Sequence, residues 1–422
     1  MSNSTASSTD PPTGPVRLSG WDYATWRAAG ADPVFRAPLA AVIHLAGQPG
    51  ADAIRERLER ARQLPALNRR LTVISGEPHL VHSGVDPSAH LEVVAQQVSS
   101  AQTLGDAIDR GFPDHLPPWR VHLAQLGSDR TELTLVMDHA IADGRAALGL
   151  AATLLDSWLP PALKPSADAS TQERSSSQGR ATQQVSAALD VARSVVRMTR
   201  VHEAPLSPLF VGRSLQHRRF LISGDTRPLR RAARAAGVTV NDALVAAILR
   251  AVGNYHRECG VPVSALRVNV PISLRTRVAS AGNSLAVART TLPVPVGDDL
   301  GAVRTIHDQL LSWRAESALG HSDRLAEVSR LFPAKLLATL ARASDLTISN
   351  LGPIPAGAAV AGVQVAGVFP VPSTIGVAVS AAFLTYGDLG CLGLALDPAA
   401  VADPHHLAAV VAENLGFESI SV

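Results

Sequence analysis

The residues best suited to chemistry stand in one short segment, TELTLVMDHAIADG, at positions 131–144. Leu133, Leu135 and Met137 alternate with Thr134 and Val136, the period of a β-strand with one buried face. That strand runs into Asp138 and His139, and Asp143 and Gly144 follow where a helix is predicted to begin. A side chain at a strand end is held firmly yet can face a cleft. An imidazole ordinarily titrates near ~6.5, so His139 is suited to act as a general base at neutral pH. Asp143 could orient a partner or fix local geometry, and Gly144 permits close backbone approach. By spacing alone the pattern H-x-x-x-D-G is weak, because a His and an Asp that merely cap a helix would look the same.

Other groupings carry less. His79 with His82, and His405 with His406, lack the third ligand or carboxylate that zinc needs, and no HExxH occurs, so no metal site is expected. The two cysteines, Cys259 and Cys391, form no CxxC and support neither a disulfide framework nor a zinc ribbon. Neither a GxGxxG-helix unit nor a P-loop appears, which removes support for nucleotide-dependent redox or phosphoryl chemistry. Between Arg213 and Arg234 lie seven arginines and one acid, Asp225. Such a run would suit a phosphate-rich donor or a carrier-protein surface, but a solvated strand-plus-helix face accounts for it as well.

The elements that must position these groups come from a chain of 422 residues, with 38 basic and 36 acidic side chains and a net charge of +2. Nucleic acid is not an expected partner at that balance. Apolar residues at 46% and charged residues at 18% exclude disorder as the main state, and the length allows two to three domains. Residues 1–15 read as a disordered tail without an apolar leader segment, and a cytoplasmic location is the expectation. The longest weakly polar stretch, Ala356 to Leu384, is interrupted by Pro370 and Pro372 and does not read as a membrane span.

Residues 164–184 are rich in Ser, Gln, Ala and Thr, which reads as a linker. With the amphipathic segment Val185–Arg200 it makes a crossover, 164–200, between an N-terminal part at 16–163 and a C-terminal part at 201–422. The Arg-rich face of Val185–Arg200 also suits peripheral membrane contact, although packing on the body is the simpler expectation. Strands are predicted over Leu39–Leu45, 71–75, 79–83, Arg120–Gln125 and Glu132–Met137, with helices over Ala51–Leu64 and Gly144–Leu159. In the second part Asn241–His256 is the clearest helix, with Asn241 as its N-cap and Asp242 as an internal anchor. Strands are predicted over Leu266–Val270, Ala286–Leu292, Leu346–Ser349, Val363–Phe369, Gly376–Phe383 and Cys391–Leu396, and two helical segments between Asp299 and Arg342. Strands mixed irregularly with helices indicate an α/β class of the mixed α+β kind.

The segment DHAIADG resembles the H-x-x-x-D-G motif of the superfamily of chloramphenicol acetyltransferase, dihydrolipoyl acyltransferases and peptide-synthetase condensation domains. PPWRVHL at 117–123, GVTVNDALVAAI at 237–248, VPISLR at 270–275 with Asn283, and LTISNLGPIP at 346–355 narrow the resemblance. Together with the C-terminal rhythm of 367–403 they are similar, in order, to the bacterial wax ester synthase/diacylglycerol acyltransferases. The resemblance spans about 110–415; the first hundred residues match loosely, through Ser19-Gly-Trp-Asp22. One departure bears on the acceptor: the family pattern has His-His where this chain has Asp138-His139. Dihydrolipoyl acyltransferases carry Asp-His there, so the base is retained.

The resemblance implies two chloramphenicol-acetyltransferase-like subdomains with a tunnel between them. It implies acyl transfer from a thioester, an acyl-CoA or an acyl-carrier protein, to a hydroxyl or amine acceptor, without a covalent acyl-enzyme and without a cofactor beyond the coenzyme A thioester as substrate. His139 would be the base. Asp143 would pair with an arginine, for which Arg275 is the candidate. Asp138, Gly144, Trp119, Asn241 and Asp242 would hold structure, and Trp119 reads as core. Ser349 and Asn350 are candidates for the oxyanion or the tunnel lining. A condensation-like or transesterifying enzyme of a natural-product pathway, and a non-catalytic lipid- or partner-binding relative, are the alternatives. Acyl chain length, acceptor identity and oligomeric state are not legible.

Overall fold

The computed structural model describes residues 14–18, 20–36, 38–94, 100–139, 150–151, 153–156, 205–273, 285–297, 299–314 and 344–421. Asp143, Gly144, Arg275, Ser19, Asn283 and the 164–200 crossover lie outside these residues, as does most of the predicted Gly144–Leu159 helix.

In the first half the strands are β1 (Val16–Arg17), β2 (Pro38–Leu45), β3 (Arg69–Ile74), β4 (Glu77–His82), β5 (Leu91–Val94), β6 (Trp119–Gln125) and β7 (Thr131–Asp138). The second half supplies β8 (Arg218–Asp225), β9 (Ala265–Ser273), β10 (Leu285–Pro293), β11 (Leu346–Ile354), β12 (Ala359–Val360), β13 (Val363–Val371), β14 (Val379–Tyr386), β15 (Leu389–Leu396) and β16 (Glu418–Ser421). They make a six-stranded sheet in the order β12-β13-β2-β7-β6-β5, a seven-stranded sheet in the order β10-β9-β11-β14-β15-β8-β16, and a small sheet β1-β4-β3. The mixed α/β class is as expected. The division at 163 and 201 does not follow the sheets, because β12 and β13 come from the second half yet complete the first sheet, with Val371 opposite Ala40 and Phe369 opposite Val42.

Residue alternation explains the layers. On one face of the seven-stranded sheet Leu266, Val268, Leu346, Ile348, Val379, Ala381, Leu392 and Leu394 pack with the helices Val240–Glu258 and Pro404–Leu415 in one apolar core. Each fully buried Leu, Ile or Val among them contributes about 1.5–3 kcal/mol of hydrophobic stabilisation. The opposite face turns to the six-stranded sheet, and Leu221, Leu384, Tyr386 and Cys391 join a core made largely by that sheet. The two sheets touch closely where β13 crosses β15. A Cβ on Gly393 would lie 1.7 Å from the Pro370 carbonyl oxygen, so only glycine admits that approach.

Most predicted strands stand within two or three residues of their expected places. The helix predicted over Ala51–Leu64 is α-helical only over Ala51–Leu58 and continues as a 3-10 turn over Glu59–Gln63. The long helix begins at Val240, not Asn241. Thr239 is its N-cap, and its hydroxyl and the Asp242 carboxylate form a reciprocal capping box. Asn241 is therefore a first-turn residue, because Thr239 rather than Asn241 sits in the extended conformation that places a side-chain oxygen over the free N–H groups.

Candidate active site

Strand β7 lies between β2 and β6, and every residue from Thr131 to Met137 is buried. The expectation of one buried face is corrected: Glu132 and Thr134 are as enclosed as Leu133 and Leu135, because both faces of this central strand are covered. The ladder stops where proline intervenes. Asp138 stands opposite Pro38, which has no N–H to offer, and its own N–H turns to the Pro118 carbonyl at 2.9 Å. His139 follows in a turn, half-buried.

That end of β7 is where the chain passes from one sheet to the other. The Ser373 hydroxyl donates to the Pro38 carbonyl. His217 Nε2 and the Thr374 hydroxyl are 2.8 Å apart, and Arg213 Nε donates to the Gly376 carbonyl at 2.6 Å. The Ala378 and Val379 N–H groups then bond the carbonyl of Asp345, the residue before β11. Residues 372–378 thus form a strap, tied at one end beside Asp138 and at the other beside the start of β11 and β14.

The remaining predicted residues fall in different places. Trp119 is core: it is 1% exposed, its indole N–H donates to the Leu67 carbonyl at 2.9 Å, and the His90 ring stacks on it at 3.8 Å. His90 Nδ1 donates to the Trp119 carbonyl at 2.8 Å, and burial lowers the pKa of that imidazole. Asp242, fully buried, accepts from the Thr239 N–H at 3.1 Å and hydroxyl at 2.6 Å, from His307 Nδ1 at 2.6 Å and from Arg314 Nη2 at 3.3 Å. Burial pushes its carboxyl up, but the bonds from Thr239, His307 and Arg314 outweigh that and hold it below the usual range.

Ser349 and Asn350 lie on β11 in the other sheet, opposite Ala382 and Phe383 of β14. Asn350 is exposed, and its Oδ1 accepts from the Gly352 N–H at 3.0 Å, closing a turn in which Gly352 has φ +89. Asn350 therefore shapes the bulge after Ser349. Ser349 is half-buried and faces the six-stranded sheet, since its neighbours in line are Ala382 and Gly393, and Gly393 meets Pro370.

The inward face of β9, β10 and β11 has a composition that the sequence reading missed. Directly paired residues Arg289, Asn269, Thr347 and Ser380 form a polar row across four strands. Asn269 is bound on both sides: its Oδ1 accepts from Ser344 Oγ at 2.8 Å and its Nδ2 donates to Thr347 Oγ1 at 3.3 Å. Ser380 is 1% exposed and its hydroxyl has no hydrogen-bond partner. Thr347, Ser349 and Leu351 are half-buried, whereas Leu346 and Ile348 on the opposite face are buried. The six-stranded sheet thus covers the inner face at β14 and β15 and leaves it partly open at β11. The alternation in Leu346-Thr347-Ile348-Ser349 was the available signal.

Ser207, His256 and Asp345 have the types of a nucleophile triad but are a structural clamp. Ser207 Oγ lies 2.7 Å from His256 Nε2, yet the other ring nitrogen bonds the Val252 carbonyl and the Asp345 carboxylate bonds the N–H groups of Ser207 and Arg267. All three residues are 2% exposed or less. Cys391 is buried, which pushes its thiol up to about 12 and removes thiolate chemistry at neutral pH. Among the described residues no group of three His, Cys, Asp or Glu side chains is placed to hold a metal. In the arginine-rich run, Arg219 pairs with Asp109, Arg227 with Asp225 and Arg230 with Asp388. Much of that run is accounted for as an ion-paired face.

Residues 281–417 match the family model described as the WS/DGAT C-terminal domain. The chain is similar to the wax ester synthase/diacylglycerol acyltransferases. Its curated relatives include a Mycobacterium tuberculosis protein named as a diacylglycerol O-acyltransferase, 26% identical over 450 residues, covering 94% of this chain and 90% of the relative. The solved wax ester synthase/diacylglycerol acyltransferase from Marinobacter aquaeolei VT8 superposes with a TM-score of 0.64 at 18% identity, over 95% of this chain and 98% of that one. The starter condensation domain of rhizomide synthetase, solved with C8-CoA, superposes with a TM-score of 0.63 at 14% identity, over 95% and 93%. The resemblance read from the sequence motifs is borne out, and the fold is shared with condensation domains. An epimerization domain of tyrocidine synthetase also superposes, at a TM-score of 0.58, so the fold alone does not name a reaction.

Proposed function

We propose that this protein is an O-acyltransferase that moves an acyl group from an acyl-CoA thioester to a hydroxyl acceptor, with His139 as general base. His139 takes the proton from the acceptor hydroxyl as that oxygen attacks the thioester carbonyl. The tetrahedral intermediate collapses with loss of the thiolate, and the proton on His139 passes to the departing sulfur. Ester and free coenzyme A are the products, and no acyl-enzyme or added cofactor is needed. Ser349 is the candidate oxyanion donor, a group typically worth a few kcal/mol in the transition state. Asp143, for which the resemblance implies an arginine partner, is assigned a structural role.

The observation that carries this reading is the position of His139: at a strand end, beside the strap that joins the two sheets, in a chain whose residues 281–417 match the WS/DGAT C-terminal domain. The names of its curated relatives support the O-acyl product. The C8-CoA in the rhizomide condensation domain supports a coenzyme A donor in this fold. Among the described residues no single helix is long and apolar enough to cross a membrane.

The test supplies octanoyl-CoA or an octanoyl-loaded carrier protein with a panel of alcohols and amines, and follows thiol release and product mass. His139→Ala is expected to lower turnover about 100-fold or more. Full activity in that variant refutes the base assignment. Transfer from the carrier protein alone moves the donor to the condensation-like alternative, and absence of any thioester consumption supports the non-catalytic one.

A further inference from the structure

We infer that Ser373 is a positioning residue for the reaction: its hydroxyl stands in for a missing ladder rung and holds the strand end from which His139 follows. The inference rests on the acyltransferase reading and adds to it a residue that sets where the base stands. Val371 is opposite Ala40 and Phe369 opposite Val42, and continuing that register puts Ser373 opposite Pro38. Pro38 is in turn opposite Asp138. Ser373, Pro38 and Asp138 thus make one row across β2 and the ends of β13 and β7, with the outer two separated by two strand spacings, about 9.6 Å. Backbone bonds run short along this row. Pro38 has no N–H, and neither has Pro372 beside Ser373. The Asp138 N–H goes to the Pro118 carbonyl at 2.9 Å. A strand end short of rungs frays. Here the Ser373 hydroxyl donates to the Pro38 carbonyl, so a side chain from the second half closes the row beside the base.

The backbone just after Ser373 is strained. Ile375 has φ +45° and Gly376 φ +79°. Two consecutive left-handed residues turn the chain sharply, and a β-branched residue takes that conformation only where its surroundings impose it. On one side Ile375 packs with Ala28 and Phe35, and a Cβ on Gly376 would lie 2.6 Å from the Phe35 ring. On the other side His217 Nε2 lies 2.8 Å from Thr374 Oγ1, and Arg213 Nε donates to the Gly376 carbonyl at 2.6 Å. The strap is therefore gripped between the turn Pro33–Phe35, which leads into β2, and the segment before β8. Strain of this kind gathers at functional sites. A connection that served only to join β13 to β14 could relax the turn. What the turn achieves is to fold Thr374, Ile375 and Gly376 back onto His217, Phe35 and Arg213 while Ser373 stays on Pro38.

Ser373→Thr and Ser373→Val have nearly the same shape and differ in the hydroxyl, so the pair isolates it. Both are assayed with octanoyl-CoA and 1-octanol. The kcat of Ser373→Val is expected to fall about tenfold with KM within about twofold of wild type, whereas Ser373→Thr stays within about threefold in kcat. The second readout is the reactivity of His139 itself, measured as carbethoxylation by diethyl pyrocarbonate and mapped by peptide mass. His406, exposed on the helix Pro404–Leu415 behind the seven-stranded sheet, is the reference in the same sample. The ratio of His139 to His406 modification is expected to rise about threefold in Ser373→Val and to stay at the wild-type value in Ser373→Thr. A merely structural Ser373 lowers stability but leaves kcat per folded molecule and the modification ratio alone, and that result overturns the inference. So does an equal loss of kcat in the two variants, or a wild-type ratio in Ser373→Val. Ser373→Ala takes the place of the valine variant, with the same expectations, if valine prevents folding. If the wild type releases no coenzyme A from octanoyl-CoA, the acyltransferase reading fails by itself. The modification ratio then decides alone, and equal ratios in wild type and Ser373→Val overturn the role of Ser373.

Discussion

Asp242→Ala separates a structural from a chemical role for the Asn241-Asp242 motif. The Asp242 carboxylate accepts four bonds, from the Thr239 N–H and hydroxyl and from His307 and Arg314, at 0% exposure. Losing the capping interaction costs about 1 kcal/mol. Removing one partner of a buried ion pair costs about 3–5 kcal/mol. The side chains of His307 and Arg314 are 23% and 32% exposed, so water recovers part of that second cost. A net loss of about 3 kcal/mol is expected from urea denaturation, with turnover per folded molecule within about twofold of wild type. The effect has a pH signature. The folded carboxyl lies below its usual range, so its stabilisation is present above the ordinary carboxylate pKa and is lost as pH falls through the lowered folded value. The gap between wild type and variant should therefore narrow in acid. A variant with wild-type stability and abolished turnover would refute the structural reasoning.

Two further perturbations test the packing. Burial lowers the pKa of both His90 and His256. The unfolded chain then binds more protons below about 6.5, so stability is complete above that value and declines as pH falls toward the folded values, by at most about 1.4 kcal/mol per pH unit for each histidine. Denaturation midpoints that are equal at pH 7.5 and 5.5 would contradict this. Gly393→Ala would place a methyl 1.7 Å from the Pro370 carbonyl oxygen, so the sheets must separate locally. A loss of about 1–3 kcal/mol is expected from chemical denaturation, and a variant as stable as wild type would mean that β13 does not press on β15 there.

Much of the scaffold was legible because its strands are short apolar runs between turn signals. The strand that delivers His139 was read to within a residue at each end. Its second buried face was not, because Glu132 and Thr134 look like solvent-facing positions until β2, β6 and the layers above them enclose the strand. The helix cap was displaced by two residues: Asn241 and Thr239 are both good capping types, and local sequence does not say which one turns extended. The helix Pro404–Leu415 was passed over, although Asp403 as its cap, Pro404 in its first turn and Gly416 after its end are its ordinary signals. Sheet membership was beyond reach, since alternation in Val363–Val371 reports a half-buried strand but not which sheet receives it. The polar row of Arg289, Asn269, Thr347 and Ser380 was missed for the same reason, as its members come from four separate strands.

The placement of β13 governs how the chain must be made. Leu45 waits for Val365, and Ala40 for Val371, so the sheet that bears His139 cannot be finished until nearly all of the polypeptide has left the ribosome. Until then β2 has a bare edge, open to any passing strand. Expressing the front portion by itself would preserve that vulnerability permanently, and aggregation rather than a small working enzyme is the natural result.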